Sequence, residues 1–182
     1  MEELPSMSIN APRPLLTEHE ILSRVELLAA RINHDYADVD DLLLIGVLRG
    51  AFIFLADLAR RLEVPHSIDF IALSSYESGS QLSGAVRLIM DVREDVANRH
   101  VLIVEDIMDT GHTLDYLEKS LAARQPASVK KCVLVSKTDR QQVPIEVDYL
   151  GFEIPDVWVV GYGLDYDNRF RTLPYIGVYE SA

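Results

Sequence analysis

Short, continuously apolar runs are the feature that most constrains how this chain can fold. Leu42–Val47 and Val101–Val104 contain no polar side chain, and acidic residues precede the first run and follow the second. Both runs are too short for a helix, and neither shows the polar–apolar alternation of a strand with one face in solvent. They therefore predict strands buried on both faces, as in a parallel sheet covered by helices.

Helical patterns separate these runs. The segment Thr17-Glu18-His19-Glu20 matches a capping box, with Thr17 as the N-cap residue. The spacing of apolar residues predicts helices over residues 17–33 and 51–61, and a third helix marked by Leu114, Leu117 and Leu121. In the second helix, the residues predicted to face inward are Phe52, Leu55, Ala56 and Ala59.

The remaining apolar segments predict further strands. These are Ser67–Leu73, Ala85–Asp91, Val129–Val135, Val157–Val160 and a final run near Tyr175–Tyr179. Strands that alternate with helices predict an α/β fold with a mainly parallel twisted sheet flanked by helices. We expect a single domain over residues 1–182, in which the proline-containing residues 1–16 form an irregular N-terminal arm.

Charge and cysteine content exclude several classes of protein. The chain has 29 acidic and 17 basic residues, for a net charge of -12, and such a surface repels nucleic-acid phosphates. Glu2 and Glu3 stand where a signal peptide would be positively charged, and the longest apolar run, Leu42–Leu48, is too short to cross a bilayer. The single cysteine, Cys132, is expected to be buried and reduced. We therefore expect a cytoplasmic protein without nucleic-acid or membrane partners.

Residues 101–113 carry the clearest chemical signal. They read as a strand, the acidic pair Glu105 and Asp106, a tight turn and the start of a helix. Ionised carboxylates accept hydrogen bonds from neighbouring sugar hydroxyls or bind a hydrated metal ion. A helix N-terminus beside Gly111 offers free N–H groups to a phosphate, and Asp109 lies where it could exchange a proton with a bound base. The alternative is that the two acids only cap the next helix, and a lone Asp-Thr-Gly is weak evidence against that.

The segment Val-Glu-Asp-Ile-Met-Asp-Thr-Gly-His-Thr (104–113) resembles the phosphoribosyl-pyrophosphate motif of the type I phosphoribosyltransferases. More narrowly, the chain is similar to the bacterial hypoxanthine-guanine phosphoribosyltransferases over about residues 17–178. The other segments that match in order are 46–52, 74–76, 151–156, 159–166, Arg171 and 173–175. The resemblance implies the type I phosphoribosyltransferase fold, with a small hood over the active site formed by about residues 137–182.

The resemblance also implies a role for each part of the central motif. Glu105 and Asp106 would hold the 2- and 3-hydroxyls of the ribose, and Asp109 would be the general base acting at N7 of a purine. The residues around the 5-phosphate would be Asp109, Thr110, Gly111, His112 and Thr113. We expect His112 to contribute only its backbone amide.

The resemblance also implies which residues bind the pyrophosphate and the metal ion. Arg49 and Gly50 match the family's pyrophosphate loop, in which the peptide bond joining these two residues is expected to be cis, and Arg171 would reach the same group. Asp165 would bind Mg²⁺ on the pyrophosphate, and the acidic pair supplies the other candidate metal ligands. Without the resemblance, Arg49 would be read as an exposed residue of an ordinary strand-to-helix turn.

Residues 74–84 are rich in serine and glycine and are predicted to form a mobile loop. The resemblance implies that this loop is a lid, with Ser75 and Tyr76 closing over the reacting centre. Closure would exclude water from the transition state.

The purine would be bound by Lys137, Trp158 and Val159, again by resemblance. Lysine offers only hydrogen-bond donors, so it favours a 6-oxopurine such as hypoxanthine, guanine or xanthine over adenine. From residue type alone, a lysine after a strand is usually solvated and a lone tryptophan usually lies in the core. The indole stands where the family more often has phenylalanine or tyrosine, and it can still stack on a purine.

The resemblance thus implies a purine-salvage enzyme that transfers the phosphoribosyl group of phosphoribosyl pyrophosphate to a 6-oxopurine. It also implies that Mg²⁺ is the cofactor and that the protein is a homodimer or homotetramer. A rival is a non-catalytic regulator of the same fold that senses phosphoribosyl pyrophosphate and binds nucleic acid, which the net charge of -12 disfavours. A second rival is a doubly wound signalling domain with an acidic pocket, which leaves Arg49-Gly50 and the Ser-Ser-Tyr segment unexplained.

Overall fold

The computed structural model describes residues 11–75 and 86–180 of the chain. The helices of this part are α1 (Glu18–Asp35), α2 (Phe52–Ala59), α3 (His112–Ala122) and a short 3₁₀ helix (Thr138–Arg140). The strands are β1 (Arg13–Leu16), β2 (Leu42–Leu48), β3 (His66–Ser75), β4 (Val86–Met90), β5 (His100–Met108), β6 (Ser128–Ser136), β7 (Tyr149–Glu153), β8 (Val159–Val160) and β9 (Ile176–Val178).

Six of these strands form one sheet in the order β4-β3-β2-β5-β6-β7. All neighbouring pairs in it are parallel except β3 and β4, which are antiparallel. The predicted mainly parallel sheet is therefore confirmed. The sequence patterns do not predict β7, because its residues Tyr-Leu-Gly-Phe-Glu form no long apolar run. Among the described strands, β7 lies at the edge of the sheet and pairs with β6.

The apolar runs bury side chains on both faces of this sheet. Along β2, Leu42 and Leu44 pack with α1 and α2, whereas Leu43 and Ile45 pack with α3 on the opposite face. Because successive strand residues point to opposite faces, packing on both sides requires a continuous apolar run. Burying one such side chain stabilises the fold by about 1.5–3 kcal/mol relative to leaving it exposed.

Helix α1 begins as its capping box predicts. The backbone N–H and the hydroxyl of Thr17 donate to Glu20 Oε2 at 2.8 and 2.6 Å, and the N–H of Glu20 donates back to Thr17 Oγ1 at 3.3 Å. The helix ends at Asp35 rather than at Asn33.

The predicted inward face of α2 is partly wrong. Phe52 is 41% exposed and Ala56 is exposed as well. The buried residues are Phe54, Leu55, Leu58 and Ala59. The sequence of α2, Phe-Ile-Phe-Leu-Ala-Asp-Leu-Ala, is apolar almost all round, so its pattern does not indicate which side faces the core.

A second, three-stranded sheet has the order β1-β9-β8. The predicted irregular arm is wrong for Arg13–Leu16, which pair antiparallel with β9. Pro14 is tolerated because β1 is an edge strand, where a missing N–H need not break the ladder. This sheet also differs from the hood predicted for residues 137–182, since β1 joins it from the other end of the chain and β7 belongs to the large sheet.

Within residues 11–75 and 86–180, no helix is long and apolar enough to span a membrane. Cys132 is buried in β6, as predicted, and burial raises the pKa of its thiol. A buried thiol of raised pKa stays protonated at neutral pH, so Cys132 acts as a small apolar packing group.

Candidate active site

The acidic pair lies inside β5 rather than after it. The prediction ended this strand at Val104, but β5 continues to Met108 because its backbone stays paired with β6 as far as Ser136. Glu105 and Asp106 are consequently almost fully buried at the carboxyl end of the parallel sheet. Ligands of parallel sheets bind at this end of the strands.

Burial changes the ionisation of both carboxyl groups. It is the main cause that raises the pKa of Glu105 well above its ordinary value, and the negative charge of Asp106 raises this pKa further. Burial also raises the pKa of Asp106. Glu105 Oε2 has no hydrogen-bond partner among the described residues. Sugar hydroxyls or a cation would satisfy such a pair, since both stabilise the charged form.

The N-terminus of α3 follows β5 directly. Gly111 is its N-cap residue, with a φ of +89° in the left-handed region that favours glycine. The first N–H groups of a helix have no partner within the helix, which suits a phosphate at this end. Thr113 lines the central cavity described below, and the carbonyl of Thr110 accepts hydrogen bonds from the N–H groups of Gln142 and Val143.

The imidazole of His112 does not line the central cavity. It lines a separate pocket beside Tyr116, and its Nε2 lies 3.3 Å from Gln142 Oε1. The group that His112 can offer to a phosphate at the helix terminus is its backbone N–H.

The loop after β2 passes close to the acidic pair. Its cis peptide bond joins Leu48 and Arg49, so the prediction that placed this bond between Arg49 and Gly50 is wrong by one position. The loop begins there because β2 ends at Leu48. A Cβ atom on Gly50 would lie 1.7 Å from Asp106 Oδ2, so only glycine allows this approach.

Asp165 and Arg171, predicted for metal and pyrophosphate, lie together. Arg171 Nη2 is 2.7 Å from Asp165 Oδ1, and Arg171 Nη1 donates to the carbonyl of Gly163 at 2.7 Å. The backbone N–H of Asn168 donates to Asp165 Oδ2 at 2.7 Å. Both side chains lie beside the loop of Arg49 and Gly50, since a Cβ on Gly163 would lie only 1.9 Å from the carbonyl oxygen of Gly50.

Lys137 and Trp158 have exposures opposite to those usual for their types. Lys137 is only 5% exposed, and its Nζ lies 3.5 Å from Asp156 Oδ1. Trp158 is 59% exposed, and its ring meets Tyr166 edge to face at 5.9 Å. Tyr166 in turn stacks on Tyr179 at 4.2 Å. A buried donor and an exposed aromatic ring can together bind a flat heterocycle, the donor through a hydrogen bond and the ring by stacking.

Asp109 has a neighbour that the sequence reasoning missed. Arg140 Nε lies 2.9 Å from Asp109 Oδ1, in an ion pair whose N–H is not aligned well enough for a hydrogen bond. Arg140 Nη1 also lies 3.5 Å from Asp156 Oδ1. The sequence signal for Arg140 is weak, namely a basic residue three positions after Lys137.

One cavity of about 870 Å³ brings most of the predicted residues together. Those that line it are Arg49, Gly50, Glu105, Asp106, Asp109, Thr113, Lys137, Trp158, Val159, Asp165 and Arg171. The three residues between Asp109 and Thr113 in the sequence do not line the cavity; they are Thr110, Gly111 and His112. Sequence reasoning missed Arg140, which also lines the cavity.

The predicted lid falls mostly on residues that the structure does not describe. Ser74 and Ser75 belong to β3 and pair with Arg87 and Val86, so the prediction of a loop is wrong for these two positions. Ser74 lines the central cavity. Tyr76 lies outside the described residues.

The fold and this cavity define a class of protein. A protein-family model described as "Phosphoribosyl transferase domain" matches residues 14–167, which is most of the chain. The chain therefore belongs to the phosphoribosyl transferase family, and the family resemblance of the central motif is confirmed.

Individual relatives narrow this class. The hypoxanthine-guanine phosphoribosyltransferase of Mycobacterium tuberculosis is 46% identical over 168 residues, which cover 90% of this chain and 83% of that protein. The hypoxanthine phosphoribosyltransferase of Escherichia coli is 44% identical over 164 residues, covering 90% of this chain and 92% of that protein. The solved structure of a hypoxanthine phosphoribosyltransferase from Staphylococcus aureus matches with a TM-score of 0.90 at 39% identity, covering 98% of this chain and 97% of that one.

Proposed function

We propose that this chain is a purine-salvage enzyme that transfers the 5-phosphoribosyl group of phosphoribosyl pyrophosphate to N9 of hypoxanthine or guanine. The products are IMP or GMP and pyrophosphate. The observation that carries this proposal is a single cavity with two chemically different ends. One end has the buried acidic pair and a helix N-terminus, and the other has buried Lys137 and exposed Trp158.

The acidic end suits the sugar phosphate. Glu105 and Asp106 accept hydrogen bonds from the ribose 2- and 3-hydroxyls, which supplies the partner that Glu105 Oε2 otherwise lacks among the described residues. The first turn of α3, with the hydroxyl of Thr113, binds the 5-phosphate through N–H donors and the positive end of the helix dipole.

The other end suits a 6-oxopurine. Lys137 donates to the 6-oxygen, Trp158 stacks on the ring and Val159 packs at its edge. The ammonium group has no acceptor for the 6-amino group of adenine, so adenine leaves a buried donor unpaired. Such an unpaired donor costs about 1–3 kcal/mol, which disfavours adenine by on the order of tenfold or more.

Asp109 is the proposed general base. As N9 forms its bond to C1 of the ribose, the C1–O bond to pyrophosphate breaks and the electron pair leaves with pyrophosphate. The N7 proton of the base passes to the carboxylate of Asp109. No covalent enzyme intermediate is needed, since positioning and electrostatic stabilisation supply the rate.

We propose that this cavity also holds a magnesium ion, together with substrate oxygens and water, since no group of three or more metal-ligating side chains lies together within the described residues. The protein's donor atoms are carboxylate oxygens, which Mg²⁺ prefers, and Glu105 Oε2 lacks a partner within the described part of the chain. Asp165, Glu105 and Asp106 are the residues proposed to hold the ion. When bound, Mg²⁺ offsets the negative charge that develops on pyrophosphate. Arg49, Gly50 and Arg171 bind the same group, the arginines by charge and Gly50 by its backbone N–H.

Two parts of the proposal concern regions beyond this cavity. Ser75 and Tyr76 are proposed to close over the bound substrates and exclude water. Tyr76→Ala is therefore expected to lower kcat strongly while the melting temperature stays near that of the wild type.

The chain is also proposed to form a homodimer or homotetramer, which light scattering in solution measures directly.

A spectrophotometric assay of the purified protein with phosphoribosyl pyrophosphate and Mg²⁺ tests the function. Hypoxanthine, guanine, xanthine and adenine are offered in parallel, and nucleotide products are identified by chromatography. We expect turnover with hypoxanthine or guanine, and turnover with adenine that is lower by on the order of tenfold or more. Thermal stabilisation by phosphoribosyl pyrophosphate without turnover of any base would instead favour a non-catalytic regulator.

A further inference from the structure

Four charged side chains form a continuous series across the base-binding end of the cavity. Asp109 contacts Arg140 at 2.9 Å, Arg140 contacts Asp156 at 3.5 Å, and Asp156 contacts Lys137 at 3.5 Å. The two outer members are the residues proposed to meet the purine. The two inner members, Arg140 and Asp156, have no part in the reaction proposed above.

Local structure places Arg140 beside Lys137. The backbone N–H of Arg140 donates to the carbonyl of Lys137 at 2.9 Å, which closes the 3₁₀ turn. Residues three apart in a 3₁₀ helix lie on the same side, so both cations reach the same atom, Asp156 Oδ1. Asp156 comes from the segment after β7, two positions before Trp158. The series therefore links the end of β5, the 3₁₀ helix and the segment that carries Trp158.

The contact with Arg140 holds one oxygen of Asp109 and leaves the other available. Asp109 Oδ1 is buried against Arg140 Nε, while the side chain as a whole is 41% exposed and lines the cavity. Oδ2 is thus the oxygen that can face a ligand. A general base that a third group holds in place is the arrangement in which proton transfer from a substrate is efficient.

The purine requires two groups at a fixed separation. N7 and the 6-oxygen lie on the same edge of a 6-oxopurine. Asp109 must meet N7 while Lys137 meets the 6-oxygen, and these side chains come from the ends of different strands, β5 and β6. Arg140 and Asp156 bridge them. Accepting the proposed function, on which this step rests, we infer that Arg140 is a positioning residue that orients Asp109 toward N7 and that Asp156 anchors Arg140.

Steady-state kinetics of Arg140→Gln test this inference. A misplacement of about 1 Å can cost on the order of 10²-fold in rate, so we expect kcat with hypoxanthine to fall by about that factor. The KM for phosphoribosyl pyrophosphate should stay unchanged, because the contacts of Arg140 are at the base-binding end. Arg140→Lys keeps the charge and should restore part of kcat. The matched control is Asp139→Asn, an exposed neighbour on the same turn, which should keep the wild-type kcat.

A double substitution distinguishes positioning from a general structural effect. If Arg140 acts through Asp109, then Asp109→Asn and Asp109→Asn/Arg140→Gln have the same kcat. The inference would be overturned if the losses of kcat in the two single variants multiplied in the double variant. A wild-type kcat in Arg140→Gln would overturn it as well. Should Arg140→Gln fail to fold, Asp156→Asn gives the same test, with a reduced kcat expected and a wild-type kcat contradicting it. A wild-type protein that turns over no base would overturn the proposed function itself, so the two failures are distinguishable.

Discussion

Single residues at the base-binding end explain how a flat substrate can be recognised. Lys137 is buried and Trp158 is exposed, whereas a lysine is usually exposed and a tryptophan usually buried. The charge of Lys137 is offset by Asp156, and the Trp158 ring is supported at its edge by Tyr166. A buried charge and an exposed indole are costly for a purely structural purpose, which is why we propose that both bind the ligand.

Replacing Trp158 should weaken base binding without destabilising the fold. Stacking of a base on an aromatic side chain contributes about 1–3 kcal/mol, so Trp158→Ala should raise the KM for hypoxanthine on the order of tenfold or more. The melting temperature should change little because the indole is largely exposed. Trp158→Phe, the control, should keep a KM near that of the wild type. An unchanged KM in Trp158→Ala would exclude the stacking role.

Glu105 should make the ligand-free protein less stable as pH rises. Because its pKa is raised in the folded state, the folded protein binds its proton more tightly than the unfolded protein does. The stability from this group is fully present below the ordinary glutamate pKa of 4.5 and is lost as pH rises from there through the raised pKa. Glu105→Gln should therefore melt at a higher temperature than the wild type at pH 8.

The measurement is the melting temperature of both proteins between pH 4 and pH 8 without ligands. The difference between them should widen in favour of Glu105→Gln as pH increases. Glu63→Gln, at an exposed position, serves as the control and should follow the wild type. A constant difference across the range would show that the buried charge of Glu105 is not the cause.

At the scale of secondary structure, element interiors could be predicted from the sequence and several boundaries could not. The interiors of β2 and β5 follow from their apolar runs, and α1 follows from its capping box. The extension of β5 through the acidic pair depends on pairing with β6, and β1 depends on pairing with β9. Such pairings join distant parts of the chain, so no local pattern indicates them.

The loop containing Gly163 packs closely against the loop of Arg49 and Gly50, which is proposed to bind pyrophosphate. Gly163→Ala would place a Cβ about 1.9 Å from the carbonyl oxygen of Gly50, and at a φ of +103° alanine is strained as well. We expect a higher KM for phosphoribosyl pyrophosphate and a lower melting temperature. Asp167→Gly, a substitution at a φ of +50° that glycine adopts freely, is the control and should leave both values near wild type. A wild-type KM in Gly163→Ala would show that the two loops are independent.

At the scale of the whole molecule, the cavity resolves an apparent conflict of charge. The chain has a net charge of -12, yet its proposed substrate is strongly anionic. The basic residues that line the cavity are Arg49, Lys137, Arg140 and Arg171. Four acidic residues, Glu105, Asp106, Asp109 and Asp165, line it as well, so the formal charges of the lining balance although the whole chain is strongly negative. The N-terminus of α3 adds an attraction for a phosphate.

Several residues that line the cavity could be predicted because one continuous motif, residues 104–113, contains Glu105, Asp106, Asp109 and Thr113. Arg140 and Asp156 could not be predicted in the same way. Their contacts join three separate segments, which only the fold brings together. The exposures of Lys137 and Trp158 likewise depend on packing that residue type does not determine.

We propose that the carboxylate of Asp109 takes part in transfer of the phosphoribosyl group to a 6-oxopurine. The most direct test is kcat for IMP formation from hypoxanthine and phosphoribosyl pyrophosphate, compared between the wild type and Asp109→Asn, with melting temperatures measured for both. We predict a fall in kcat of about 10²–10⁴-fold, as expected for loss of a general base, with a melting temperature close to that of the wild type. An equal kcat in the two proteins would exclude this role for Asp109.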